Sequence, residues 1–414
     1  MDRRDFLSSA GSGLGLLLFS ELLAPRAARA QAGAAGAAAA GDGSESAAAL
    51  EELRAAIAEL ERRFHEPDWR MGGPLDYAEA RRMLIFHLHH AIEAWFEPSP
   101  ERPSWRRIVT PTKKLLGDNP DAVYFGTPAS SAHRYRIRGN TAGAVYTSFS
   151  VELGAADGGN PTGIGHTLND SEFEIAKDGS YEITASAEKP ARGNWLRLDP
   201  GAGSVTTRHY YERATSIAAD QLHHIPLAIE RTDLAEPPPP PSDASVAAGL
   251  RRVAKFLRSS VSPPGMDPEK LPPWVSLVPN QFNPPRKDDS NRGVGFAAVD
   301  NVYALAPFAL GPDEALVIRG RFPKCRFANV VLWNRYTHTL DYAHRRVSLN
   351  RAQTRLEPDG SFKIAVAARD PGVPNWIETK GRPSGTIFWR FQLPEEAIAP
   401  LATAVVPLSG VAKA

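Results

Sequence analysis

The sequence predicts a mainly β protein: two tandem β-sandwich (jelly-roll-like) domains related by internal duplication, with an N-terminal α-hairpin and a linker helix. Three observations predict it. Asp178 to Trp195, DGSYEITASAEKPARGNW, has an echo in Asp359 to Trp376, DGSFKIAVAARDPGVPNW, at a constant offset of 181 residues. The same offset carries Ile137-Arg138-Gly139 onto Ile318-Arg319-Gly320 and Tyr210 onto Phe391. A fixed period of this kind marks a duplication and governs any further fold reasoning. Second, short alternating runs recur between turn signals, which suits sandwiches. Third, 36 prolines and 33 glycines punctuate the chain, as a turn-rich β protein requires.

The elements follow in order. Residues 1–30 read as an export signal and 31–46 as an Ala/Gly/Ser-rich flexible linker. Residues 47–117 hold the helical hairpin. Leu50, Leu53, Ile57, Leu60 and Phe64 mark one face of a helix over 46–64. Tyr77, Leu84, Leu88, Ile92 and Trp95 mark a second over 76–96, stopped by Pro98. Residues 118–232 form the first repeat. Its strands include 135–139, 145–151, 173–176, 181–185 and 205–211, with Asp178-Gly179 as a hairpin turn. Gly158 to Gly165 reads as a long hairpin loop. Residues 233–298 are a Pro-rich linker with a helix over 243–260, capped by Asp243, and a long loop over 262–293. Residues 299–408 form the second repeat, with strands at 315–318, 328–333, 345–349, 362–367 and 386–393. Asn194-Trp195 and Asn375-Trp376 recur without matched chemistry around them. They are expected to be structural, Trp in the core and Asn at a turn.

Charge and cysteine content narrow the function classes. A net charge of +1 gives no global field for nucleic acid or an anionic membrane. The single cysteine, Cys325, has no partner for an intramolecular disulfide and reads as a small buried hydrophobe. Arg3-Arg4-Asp5-Phe6-Leu7 resembles the twin-arginine export consensus, and Ala28-Arg29-Ala30 offers a cleavage site. The expected location is therefore periplasmic or extracellular. The apolar run from Leu14 to Leu23 is too short to span a membrane, and no segment of the mature chain is long enough.

DNPDAVYF at Asp118 to Phe125, YRIRGN at Tyr135 to Asn140 and RHYYER at Arg208 to Arg213 carry a family resemblance. So do VDNVYA at Val299 to Ala304, FANVVLWNR at Phe327 to Arg335, and the DGS and NW motifs of both repeats. The chain resembles a bacterial family labelled as domains of unknown function twelve-fourteen and twelve-fifty-four, from about Leu50 to Leu408. The resemblance implies tandem β-sandwiches with helical additions, and homo-oligomers. It implies no defined activity.

The densest chemistry lies in Trp333 to Tyr342, WNRYTHTLDY. Read as a strand, it would set Trp333 and Arg335 on one side and Asn334, Tyr336 and His338 on the other. With Arg335 and Arg345 for an acidic group, these residues suit a small polar or acidic organic ligand. The matching stretch of the first repeat, Glu152 to Pro161, is Gly-rich and lacks these groups. The leading expectation is a ligand-binding or accessory envelope protein without a cofactor. One alternative is a hydrolase or lyase, with His338 as base oriented by Asp341. Another is a metal-dependent enzyme using His87, His90 and Glu93 of the second helix. That polar face lies opposite the helix's apolar stripe, so its bland reading is a solvated face. Asp288-Asp289 read as solvated loop carboxylates. Neither Gly-x-Ser-x-Gly nor a phosphate-loop motif occurs.

Overall fold

A computed structural model of the chain describes residues 43–234, 236–264, 271–287 and 296–414. The stretch expected to be an export signal, most of the expected linker and Asp288-Asp289 lie outside the described residues. Three α-helices stand among them: α1 (Glu45–Arg63), α2 (Pro74–Ala91), continued by a π-turn over Ile92–Phe96, and α3 (Asp243–Ser260). The first repeat contributes β1 (Arg106–Arg107), β2 (Ala122–Pro128), β3 (Tyr135–Asn140), β4 (Tyr146–Leu153), β5 (Gly163–Asn169), β6 (Ser180–Ser186), β7 (Asn194–Arg197), β8 (Ala202–Tyr210) and β9 (Leu227–Arg231). The second contributes β10 (Asn301–Ala309), β11 (Glu314–Gly320), β12 (Phe327–Trp333), β13 (Ser348–Asn350), β14 (Phe362–Ala367), β15 (Trp376–Glu378), β16 (Ser384–Gln392) and β17 (Ala402–Pro407).

The duplication is visible in the strand order. The first repeat pairs β1-β2-β8-β4-β5 in one sheet and β7-β6-β3-β9 in the other; the second pairs β10-β16-β12-β13 and β15-β14-β11-β17. Apart from β1, the two orders coincide strand for strand. Each repeat has one parallel pair, β6 with β7 and β14 with β15. Segment 173–176 forms no strand, and the Gly-rich stretch ends inside β5.

The recurring Asn-Trp pair fixes the parallel strand in both repeats. Asn375 donates Nδ2 to the carbonyls of Arg355 and Lys363 at 2.7 and 2.9 Å and accepts from Arg355 N at 2.8 Å. Asn194 makes the same three bonds with Glu174 and Glu182. Trp195 Nε1 donates to Ser186 O, and Trp376 Nε1 to Ala367 O, each at 3.1 Å. Both indoles are half-buried rather than core. A strand-end pocket with one open side suffices to satisfy the ring nitrogen.

Side-chain alternation gives the β10–β13 sheet two buried faces. Ile387, Trp389 and Phe391 of β16 enter the second sandwich's core with Phe362, Ile364 and Val330. Phe388 faces the other way, with Trp333, Tyr303 and Trp274. Trp274 belongs to the long Pro-rich loop. Leu305 N donates to Trp274 O and Ser276 N to Leu305 O, so residues 271–287 extend the sheet beside β10. This part of the loop is an edge cover for β10.

The helices depart from a simple hairpin. α3 packs along α1 in parallel, with ion pairs Glu52–Arg251 and Glu59–Arg258. Asp243, expected to cap its own helix, instead accepts from Glu45 N and Ser46 N and caps α1. Ser242 caps α3 in a capping box with Ser245. α2 is turned relative to expectation. Glu79, His87 and His90 are buried with Ala80, Met83, Leu84 and Ala91, whereas Leu75, Ile85 and Ile92 are exposed. The polar face can point inward because its groups find partners there: Glu79 pairs with Arg382, and His87 Nδ1 with Ser260 Oγ at 3.0 Å.

Candidate functional site

The connection between β12 and β13 is a tight turn at its start, not a strand. Asn334 Oδ1 accepts from Tyr336 N and His338 N, Asn334 N donates to His338 O, and Thr337 takes φ 55°. The turn splits WNRYTHTLDY into anchors and cavity residues. Arg335 donates to the carbonyls of Arg70 and Trp69 at 3.1 and 2.6 Å and pairs with Asp76 at 2.8 Å. Tyr336 donates to Asp76 O at 3.1 Å and is buried among the helices. Trp333 stacks on Phe388 at 4.4 Å and donates Nε1 to Asp118 O. These three residues fasten the second sandwich to the helical layer and to the segment before β2. Arg345 is exposed and pairs with Glu378 at 3.6 Å, away from the turn.

The first repeat uses its equivalent β4–β5 loop for the same purpose. Asn160 Nδ2 donates to Ser259 O, and Asp157 pairs with Lys255, both on α3. Gly158, at φ +91°, lies so close to the Arg252 carbonyl that a Cβ would collide with it. The two loops differ in sequence because they grip different helices.

The remaining residues, Asn334, His338 and Asp341, line a cavity of about 190 Å³ between α2 and this turn. Glu79, Arg82 and Phe86 enter from α2, Lys114 from the segment before β2, and Lys380 and Arg382 from the β15–β16 loop. Three ion pairs account for most of the charge. Glu79 pairs with Arg382, Asp341 with Lys380 at 3.5 Å, and Asp118 with Lys114 at 3.3 Å. Lys114 also donates to Thr339 Oγ1 at 2.7 Å and sits 3.4 Å above the Tyr342 ring. Burial pulls its ammonium below the usual range, against the pull of Asp118. Arg82 forms no ion pair with a described carboxylate and lies 5.2 Å from the Phe86 ring. The cavity therefore carries one cation more than its paired carboxylates.

His338 is 4% exposed, and its Nε2 has no hydrogen-bond partner. Burial, then Lys114 and Arg82, press its pKa down to about 3, so the ring is neutral at physiological pH. Asp341 does not orient it: that carboxylate is exposed and turned to Lys380. The ring of His87 lies 5.9 Å away and is also held neutral, by burial and by His338. Nε of Arg382 is a second buried nitrogen without a partner.

The helix residues weighed for a metal do not converge. His90 packs on Phe256 at 5.1 Å, and Glu93 pairs with Lys113 and His89. No group of three or more His, Cys, Asp or Glu among the described residues is arranged to hold a metal ion. Cys325 is half-buried, with its thiol pushed up to about 11 by burial. Arg82, Lys114 and the Lys380 and Arg382 pair come from three separate segments, so no spacing in the sequence announced them together.

The chain is similar to an uncharacterised protein from Burkholderia cenocepacia whose crystal structure is known, with 27% identity and a TM-score of 0.72 over 87% of this chain and 97% of that one. It is also similar to the VPA0106 protein of Vibrio parahaemolyticus, with 12% identity and a TM-score of 0.45 over 80% and 99% of the two chains. Neither description names an activity. No curated protein matches the sequence. Both repeats carry a stretch, residues 124–213 and 315–396, that matches a family described as "Protein of unknown function (DUF1214)".

Proposed function

We propose that the chain is a binding protein for a small, singly charged organic acid, held in the cavity between α2 and the β12–β13 turn. The observation that carries the reading is the exposed Arg82 guanidinium, without an ion pair among the described residues, beside two partnerless buried nitrogens, Nε2 of His338 and Nε of Arg382. A carboxylate against Arg82 would form charge-assisted bonds, a hydroxyl could bond His338 Nε2 in either tautomer, and a hydroxyl or keto oxygen could accept from Arg382 Nε. At ~30 Å³ per water, about 190 Å³ corresponds to roughly six waters, the size of a short organic acid.

Binding is favoured over catalysis by the state of His338. A group whose conjugate acid has a pKa of about 3 is a weak proton acceptor at neutral pH, and Asp341 does not assist it. Both observations support binding over the hydrolase or lyase reading. The twin-arginine-like leader supports an exported, periplasmic or extracellular setting, where binding proteins capture small nutrients or signals.

Calorimetric titration of the purified protein with a panel of short hydroxy, keto and saturated acids tests this reading. Wild type should bind at least one saturably, and Arg82→Gln should weaken it about tenfold or more through loss of a charged hydrogen bond. Equal affinity in the variant, or conversion of the acid to a product, would overturn it.

A further inference from the structure

We infer that a second binding site, separate from the first cavity, lies between the two sandwiches and takes one carboxylate group on Arg390. The segment from Ile108 to Asp118 divides the two. Lys114 faces the first cavity, while Leu115, Leu116 and Gly117 line a second of about 90 Å³. Both repeats contribute to that wall: Tyr124 from β2, Thr206, Arg208 and Tyr210 from β8, Tyr303 from β10 and Arg390 from β16.

Arg390 is the reason to expect a ligand. It is 5% exposed, and no described carboxylate forms an ion pair with it. Nη2 donates to Gly117 O at 2.6 Å, but Nη1 is buried without a partner. The guanidinium lies over Phe388 and Trp333 at 4.5 and 5.1 Å, contacts that do not neutralise it. A buried cation lacking a counter-charge is costly, and proteins normally pair it. The nearby acids are already engaged. Asp118, itself on the wall, accepts from Thr339 N and pairs with Lys114, and Asp121, which feels the Arg390 charge without bonding it, accepts from the amides of Asn329 and Asn350. The other arginine of the wall, Arg208, is satisfied by Ser150 Oγ, the carbonyls of Phe296 and Ala297, and Glu152 at 3.7 Å.

The rest of the wall suits an oxyanion. Tyr124 and Tyr210 meet at 6.2 Å between centroids, and burial keeps the Tyr124 phenol protonated, hence a donor. Two non-glycine residues of the wall, Leu116 and Phe296, hold positive φ of 36° and 62°, a strained conformation of the kind that collects at ligand clamps. At ~30 Å³ per water, about 90 Å³ admits roughly three waters, or one carboxylate group with a short tail. One spare positive charge matches a monoanion better than sulfate or hydrogenphosphate.

The test is thermal unfolding of the full mature chain against sodium acetate, sodium sulfate and sodium chloride at equal ionic strength. Acetate should raise the midpoint saturably, more than sulfate, and chloride should not. Arg390→Met should abolish the acetate effect of this site. In acetate-free buffer its midpoint should equal or exceed that of wild type, because the uncompensated cation is gone. Tyr124→Phe and Tyr210→Phe, which remove only a hydroxyl, should each weaken acetate about tenfold and keep the claim testable if Arg390→Met misfolds. In an Arg82→Gln background, which removes any acetate bound in the first cavity, an acetate response should persist and should be lost when Arg390→Met is added. An acetate response that survives both Tyr changes in that background, one that disappears in Arg82→Gln, or none at all would overturn the proposal.

Discussion

Lowering the pH from 8 to 5 should destabilise this protein by about 5 kcal/mol, through imidazoles rather than carboxylates. His90, His209 and His338 are buried, and their pKa values are pressed down to about 3. In the unfolded chain they titrate near 6.5. Between those values the unfolded state binds more protons, so stability is present above pH 6.5 and is lost as the pH falls toward 3. At pH 5 each site costs about 2 kcal/mol, and the three together about 6 kcal/mol. Asp121 acts in the opposite sense, as do Glu152 and Asp170, whose carboxyl pKa values burial also raises. Burial raises the Asp121 pKa to about 6, so the folded state holds its proton more tightly and gains about 1.4 kcal/mol over the same step. The imidazoles win, and His87 adds in their direction. Carboxylates held below their usual range, such as Asp243 and Asp359, titrate below pH 5 and leave the window clear. Total stabilities of about 5–15 kcal/mol make such a loss conspicuous in urea unfolding followed by tryptophan fluorescence. His338→Gln should reduce the pH-dependent loss by about 2 kcal/mol. A midpoint that stays constant or rises from pH 6.5 to 5 would refute the neutral-imidazole account.

Asn375→Ala should cost about 3 kcal/mol, since it removes a buried side chain that bonds three backbone groups of Arg355 and Lys363, whereas the more exposed Asn194→Ala should cost less; comparison of their urea midpoints decides it. Gly158→Ala should cost about 2 kcal/mol or more from the collision with Arg252 and the positive φ, and unchanged thermal unfolding would show that the β4–β5 loop does not grip α3 as described. Arg335→Met should cost about 3 kcal/mol by freeing the carbonyls of Trp69 and Arg70 and leaving Asp76 unpaired, without altering acid binding in the first cavity. Arg3-Arg4 changed to Lys-Lys should leave unprocessed precursor in the cytoplasm, and normal export of that variant on an immunoblot would contradict the twin-arginine reading.

The repeat was legible in the sequence because identical backbone tasks kept identical residues. Asn194 and Asn375 hold the same three bonds at the same offset, and DGS turns sit at equivalent corners. Helix α3 was legible to its end residues, because its apolar spacing and stop signals are local. The orientation of α2 was not. Its inward face is polar, and what makes that affordable is distant in sequence: Arg382 for Glu79 and Ser260 for His87. Periodicity treats such side chains as solvated, since it cannot see a partner that arrives from another element. The same blindness affects WNRYTHTLDY. Its composition suggested one ligand face, but Asn334 folds it into a turn that sends Arg335 and Tyr336 to the helices and His338 to the cavity. β5 was masked by Gly163 and Gly165, which read as loop.

The measurement that bears most directly on the central claim is a crystal structure of the protein with the acid that calorimetry finds to bind tightest. The account predicts density for that acid between α2 and the β12–β13 turn, its carboxylate against Arg82 and a polar oxygen within hydrogen-bond distance of His338 Nε2 or Arg382 Nε. An acid bound at some other surface, with ordered water alone beside Arg82 and His338, would contradict it.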